Sequence, residues 1–325
     1  MTLEPILDPL FSESSFGFRP NRSAHHALNH LRKGIQSGRK IAVDIDLSKF
    51  FDCVDHDVLM SLLAHRIKDK AVLKLIGRYL RAGISDNGKI QASRQGVPQG
   101  GPLSPLLSNI VLDVLDKELE HRHHHFARYA DDFMILVTSK RAGHRVQASI
   151  TRFLEARLKL NVNTEKSHVD EIRKCQFLGF TFKGKHLLIA PQPLANFKQR
   201  VRQLSSRTWG VSMRKKIARL SQYLRGWINY YGIANSYQLC VELDHWIRRR
   251  IRMCYWKQWR RVRTRVSKLI SLGVPTHLSI TTGSSRKGYW HSAKSPGINM
   301  GISIEWLNKQ GLVSLRNQWI TLHHG

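Results

Sequence analysis

Acidic residues are scarce in this 325-residue chain: 23 Asp and Glu stand against 53 Lys and Arg, a formal net charge of +30. So large an excess repels itself, and the polyanion that relieves it most directly is nucleic acid, with an anionic membrane surface as the competing partner. An uninterrupted apolar run of membrane-spanning length is absent, and so is a secretory leader. Membrane insertion is therefore not expected, and the expected compartment is the cytoplasm. Cysteine is sparse as well. Cys53, Cys175, Cys240 and Cys254 are scattered with no C-x-x-C pair, which reads as reduced thiols and argues against disulfides or a Cys-rich zinc site. The run His121, His123, His124, His125 has no second ligand cluster at zinc spacing, so it reads as a solvated turn or a phosphate-facing patch. Internal repeats and low-complexity linkers are missing too.

The few carboxylates are unevenly placed. Residues 191–325 contain 24 basic and 3 acidic side chains, whereas residues 1–190 contain 29 and 20. That division implies a part equipped for chemistry followed by a part that binds a polyanion.

Periodicity gives the elements. Lys40 to Leu47 alternates apolar and polar residues, as a half-buried strand does, and leads into a helical stretch from Val54 to His65. Gln95 to Gly101 is a Gly/Pro/Gln loop, and Pro105 suits the first turn of a helix reaching Leu119. Phe126–Tyr129 and Phe133–Val137 form a hairpin with Ala130, Asp131 and Asp132 at its tip. A helix from about His144 to Leu160 follows, then a second hairpin of Cys175–Phe182 and His186–Ile189. The order describes an α+β fold, an antiparallel sheet backed by helices, over residues 1–190. Basic helices at roughly 194–206, 212–231 and 237–260 make an all-helical domain over 191–265, and 266–325 is a turn-rich basic extension, a candidate nucleic-acid-binding region.

Asp46 ends a strand while Asp131 and Asp132 sit at a hairpin tip, and carboxylates converging from strand ends suit hard divalent cations. Two such ions serve an in-line phosphoryl displacement. Solvated turn acids are the alternative for any isolated pair, and the flanking words decide against it. Tyr129-Ala130-Asp131-Asp132 resembles the Tyr-x-Asp-Asp box of reverse transcriptases, and Asp46-Leu47-Ser48-Lys49-Phe50-Phe51-Asp52 resembles their first metal-binding motif. Between them, Gln95-Gly96-Val97-Pro98-Gln99-Gly100-Gly101-Pro102-Leu103-Ser104-Pro105 is similar to the intron-type loop. Phe16-Gly17-Phe18-Arg19-Pro20, Leu160 to Ser167, and Phe177-Leu178-Gly179-Phe180 match further blocks in the family's order. Leu224 to Tyr231 and Trp246 to Trp259 resemble the maturase-specific thumb of group II intron proteins.

The resemblance implies a reverse-transcriptase palm followed by a helical thumb, and a group II intron-encoded RNA-directed DNA polymerase that adds dNTPs to a primer on an RNA template. It also implies binding of the intron RNA in splicing and retrohoming. Its cofactor would be two Mg²⁺ ions, with Mn²⁺ as a substitute. Asp46 and Asp131 match the metal ligands, with the Leu47 carbonyl completing the site and Asp132 as the second acid of the box. Phe51 matches the steric gate against a ribose 2′-hydroxyl, although it could be core, with Phe50 in that part. Gln99 matches a residue touching nucleotide or template, a turn-capping amide being the alternative. Lys166 matches a basic residue near the leaving pyrophosphate, or is a surface lysine. Arg225, Arg248, Arg249, Arg250 and Lys257 would clamp duplex phosphate, while most of the neighbouring aromatics pack.

The chain departs from the family pattern at its start, since Met1-Thr2-Leu3-Glu4-Pro5 falls just before the family's second block. The expectation is an N-terminally truncated enzyme without the fingers that grip the triphosphate, and therefore a weaker catalyst. The alternatives are a non-catalytic RNA-binding splicing cofactor and the remnant of a decayed mobile element.

Overall fold

The alternating segment forms strand β1 (Ile41–Leu47), which lies inside a four-stranded sheet. Its companions are β2 (His125–Tyr129), β3 (Asp132–Val137) and β4 (Val162–Glu171), in the order β2-β3-β1-β4 with antiparallel pairing throughout. The structure, a computed structural model, describes residues 3–82, 84–86, 89–91, 95–98 and 101–324. It divides into two units, the first ending at Lys185 and the second starting at His186.

The longer helices of the first unit are α1 (Ala24–Gln36), α2 (His56–Arg66), α3 (Lys70–Arg81), α4 (Ser104–His121) and α5 (Lys140–Leu158). Side chains alternate across a strand, so Ile41, Val43, Ile45 and Leu47 share one face and join α4 and α5 in one apolar core. Gly143 lets α5 lie close to the sheet, since a Cβ there would stand 2.5 Å from Val169 and 3.4 Å from Ile41. On the opposite face Leu136 pairs with Ala42 and Met134 with Asp44. At the Leu136 end that face is covered by α1, where a Cβ on Gly34 would stand 2.9 Å from Leu136 Cδ1. The other end of the same face carries Asp44, Asp46 and Asp132.

Three local features differ from the sequence reading. β4 was not expected as a strand; it is mostly polar because it lies at the sheet edge, paired only with β1. The helix expected over Val54–His65 forms as α2, capped by Asp55 accepting from Val58 N at 2.9 Å, and what was not expected is a separate single turn, Phe50–Cys53, ahead of it. The expected strand Cys175–Phe182 is broken at Leu178 and Gly179, whose φ values of 50° and 81° reverse the chain so that Gln176 pairs with Thr181.

In the second unit, α6 (Pro191–Leu204), α7 (Met213–Tyr231) and α8 (Tyr237–Gln258) follow the apolar periodicity. Residues beyond 261 are helical in short pieces, Val262–Ser271, Thr276–Gly283, Tyr289–Ser292, Pro296–Gly301, Ile304–Lys309 and Leu315–His324. The segment expected to be turn-rich is thus mostly helical, with Gly283, Pro296, Gly297 and Gly301 inside the helices and Gly273 and Gly288 between them. Leu269, Ile298, Leu307 and Leu315 share one core with Phe197, Leu224, Ile247 and Trp256. Asp244, one of the few acids here, is buried and accepts from Ser314 Oγ at 2.6 Å and Leu315 N at 2.9 Å, which caps the last helix. Among the described residues no helix is long and apolar enough to cross a membrane.

Candidate active site

The hairpin β2–β3 turns through two residues, because Tyr129 already pairs with Asp132. Only Asp131 is therefore a turn residue with Ala130; Asp132 opens β3, which corrects the expectation that both acids sit at the tip. Ala130 has a φ of 58°, in the left-handed region where glycine is the usual occupant of such turns. Pairing of Ile45 with Phe133 brings the end of β1, with Asp46, alongside the start of β3.

The turn is held from behind by residues the sequence reading did not assign. Gly17 backs directly onto it: a Cβ at Gly17 would stand 2.2 Å from Ala130 N. Phe16 N donates to Arg128 O at 2.8 Å and Arg128 N to Ser14 O at 2.9 Å, so the Phe16-to-Pro20 block is stitched to β2. The Arg128 side chain is fully buried and completely engaged. Its Nε donates to Asp116 Oδ1 at 2.8 Å, its Nη1 to Asn109 Oδ1 and to Ala130 O, both at 2.9 Å, and its Nη2 to Ser15 Oγ at 2.7 Å. Asn109 Nδ2 in turn donates to Gly17 O at 3.0 Å. A buried guanidinium is tolerated when it is paired and its donors are satisfied, and here it fixes the carbonyl that precedes Asp131.

The carboxylates influence one another. Asp44, two residues before Asp46 and on its face, has its pKa pushed up to about 6, chiefly by burial, with His168 acting oppositely and Asp132 and Asp46 adding to the rise. Asp132 is also pushed up, first by loss of hydration and then by Asp131 and Asp46. Asp46 N donates to Ser167 Oγ at 3.0 Å, and Asp46 Oδ2 lies 3.8 Å from Lys166 Nζ on β4. The donor set is hard oxygen, which fits Mg²⁺ or Mn²⁺. Like charges gathered at one end of a sheet are relieved by a cation, and Lys166 is the cation in contact. Among the described residues no three Asp, Glu, His or Cys side chains are gathered closely enough to enclose a metal ion.

The remaining expected residues are dispersed. Leu47 ends β1, buried and paired with Val162. Phe50 is core, 2% exposed, while Phe51 is half-buried with its ring edge-on to Phe50 at 5.2 Å. Phe51 O accepts from Val97 N at 2.6 Å and Val54 O from Gly96 N at 2.8 Å, so the intron-type loop docks on the first motif. Gln99 lies outside the described residues.

In the second unit most of the side chains expected to clamp phosphate are half-buried and have partners within the unit. Arg248 sits 3.8 Å from Asp244. Arg249 donates twice to Trp290 O, at 2.9 and 3.1 Å, with its guanidinium 3.8 Å from the Trp290 ring centre. Arg250 donates to Ser205 Oγ at 2.6 Å, and Lys257 Nζ lies 5.3 Å from the Tyr289 ring centre. Arg225, by contrast, is exposed on α7, a helix that also exposes Arg214, Lys215 and Arg219.

Residues 1–182 match the model of the family "Reverse transcriptase (RNA-dependent DNA polymerase)", more than half of the chain. The chain belongs to the reverse transcriptase family. Residues 194–270 match the model described as "Group II intron, maturase-specific domain". Protein YkfC of Escherichia coli strain K12 is 32% identical over 227 residues, covering 58% of each chain. The group II intron-encoded protein LtrA of Lactococcus lactis is 27% identical over 333 residues, covering 72% of this chain and 55% of LtrA. The chain thus spans less than two thirds of the length of either relative. Among solved structures, apo telomerase from Candida Tropicalis superposes with a TM-score of 0.49 at 13% identity, over 94% of this chain and 60% of that one. A reverse transcriptase region is thus followed in this chain by a helical region similar to the group II intron maturase-specific domain.

Proposed function

We propose that this chain is an RNA-directed DNA polymerase that extends a primer 3′-hydroxyl with dNTPs on an RNA template, using Asp46, Asp131 and Asp132. The observation that carries the reading is the register between β1 and β3, which aligns Asp46 with a hairpin whose turn is locked by Gly17 and Arg128. Divalent cations bound at these carboxylates would supply the charge that activates the hydroxyl and neutralises the leaving pyrophosphate. Asp46 and Asp131 would hold them, with the Leu47 carbonyl and Asp132 alongside. Phe51, half-buried against core Phe50, would present its ring to the sugar of the incoming nucleotide, and Lys166 would face the phosphates. The exposed Arg214, Lys215, Arg219 and Arg225 of α7 would bind RNA, including the intron in which such a protein is encoded. Primer extension with Mg²⁺ on an RNA template, beside an Asp131→Ala variant, tests the reading. Incorporation by the parent and not by the variant is expected, and equal incorporation by both removes the claim.

A second reading is favoured by one observation: Lys166 Nζ already faces Asp46 Oδ2 at 3.8 Å. It makes the protein a non-catalytic RNA-binding maturase, whose help in splicing would be unchanged by Asp131→Ala.

A further inference from the structure

At the end of the hairpin β2–β3 remote from its turn, the first unit has a groove of about 640 Å³. The strand Asp132–Val137 separates this groove from the carboxylate end of the sheet by about 17 Å. Its floor is aliphatic, from Leu136 and Val137 of β3 and from Ala142 and Val146 at the start of α5. Arg39, Arg145 and Arg152 line it, together with His123, His124 and His125 of the histidine run, and no lining residue is acidic. An exposed arginine alone is ordinary, so the surroundings carry the observation. Several guanidinium groups of this unit have carboxylate partners: Arg19 with Asp8, Arg22 with Glu13, Arg66 with Asp113 and Arg122 with Glu118. Arg39, which is half-buried, and Arg145 and Arg152 form no ion pair among the described residues, although they converge on one concave surface. His125 feels the uncompensated charge: its pKa is held down first by burial, with the His30 carbonyl opposing and Arg39 adding to the fall.

We propose that this groove docks the phosphate backbone of a double-helical RNA segment, while the carboxylates hold a primer and its template. The docking builds on the reading that the chain binds RNA and is independent of the carboxylate chemistry. Arg145 and Arg152 stand about two turns apart on α5, roughly 10 Å along its axis. One small anion cannot meet both, whereas a run of phosphates can. The lining offers no Phe, Tyr or Trp on which an unpaired base could stack, and the His125 ring is already stacked on His30 at 4.4 Å. A double helix suits such a surface, because its bases are paired with each other and its phosphates face outward.

The test uses the full chain, preloaded with saturating unlabelled primer and template, and follows a labelled blunt RNA stem-loop by fluorescence anisotropy between about 50 and 200 mM salt. Arg145→Gln/Arg152→Gln is expected to weaken stem-loop binding about tenfold and to make the salt slope shallower by about two. Binding of a single-stranded oligouridylate and the rate of primer extension should stay within about twofold of the parent. Arg141→Gln/Arg157→Gln removes the same charge from exposed positions of α5 outside the groove, and should weaken the stem-loop by less than about threefold. Equal weakening by the two double variants, equal loss of stem-loop and single strand, or no binding of the stem-loop by the parent overturns the proposal. Polyglutamate bound by the parent as tightly as the stem-loop at matched charge would assign the groove to an acidic protein and also overturn it. If the parent does not extend the primer, the polymerase reading fails and the stem-loop comparison still decides the docking.

Discussion

Lys166 Nζ lies 3.8 Å from Asp46 Oδ2, so a surface cation faces the carboxylate proposed to hold a metal. Both side chains are substantially exposed, at 70% and 37%, and an ion pair so placed is weak. The lysine can therefore yield to a divalent cation and turn to the nucleotide phosphates. Replacing it as Lys166→Gln is expected to lower kcat about tenfold, through loss of a charge near the leaving group, and to reduce the half-saturating Mg²⁺ concentration about twofold. Steady-state incorporation measured against Mg²⁺ concentration checks both changes, and an unaltered kcat would leave Lys166 without a part in the chemistry.

Arg128 and Asp116 form a fully buried ion pair beneath the hairpin. Removing one partner strands the other charge in the core, so Arg128→Met should lower stability by about 3–5 kcal/mol. Urea unfolding measures this, and the double variant Arg128→Met/Asp116→Met should lose less than the sum of the single changes.

Gly17 offers a separate test of how the turn is positioned. An added methyl would meet the Ala130 backbone at 2.2 Å, and backbone cannot step aside as a flexible side chain can. Gly17→Ala should therefore destabilise by about 1–3 kcal/mol and depress incorporation more than Mg²⁺ affinity for the free protein. Thermal unfolding and single-turnover rates separate the two effects.

His30 gives the fold a pH dependence far from the carboxylates. Its ring stacks on His125 with centres 4.4 Å apart, and its pKa is held down at about 4, first by burial and then by His125, Lys33 and Arg22. The unfolded chain, with an ordinary His value of 6.5, binds the proton more readily. The contribution of His30 to stability is therefore constant above about pH 6.5, falls as pH drops toward about 4, and levels off below. Urea midpoints across that window should decline less in His30→Gln than in the parent.

Much of this was legible in the sequence, for identifiable reasons. The strand at Ile41–Leu47 announces itself by alternation, and the hairpin around Asp131 by the continuous apolar run Phe133–Val137, buried on both faces, after a short turn. β4 does not, since an edge strand with residues such as Asn163, Glu165 and Lys166 has too little buried face to impose an alternation. Asp44 could have been found from its spacing, because two residues before Asp46 in a strand means the same face. Arg128 could not: its partners Asp116, Asn109 and Ser15 come from separate segments, and only the fold brings them together. Arg248, Arg249 and Arg250 enter as phosphate contacts through the resemblance to the maturase-specific thumb, and charge alone says nothing of how buried they are. Each guanidinium instead has a partner within the unit, because long basic side chains also serve packing and carbonyl capping.

The central claim, that Asp46 and Asp131 share divalent cations, is tested most directly by Mn²⁺ binding followed by electron paramagnetic resonance in the presence of primer, RNA template and a dNTP. The account predicts two bound ions per chain in the parent protein and at least one fewer in both Asp46→Asn and Asp131→Asn. Unchanged stoichiometry and affinity in both folded variants would contradict it.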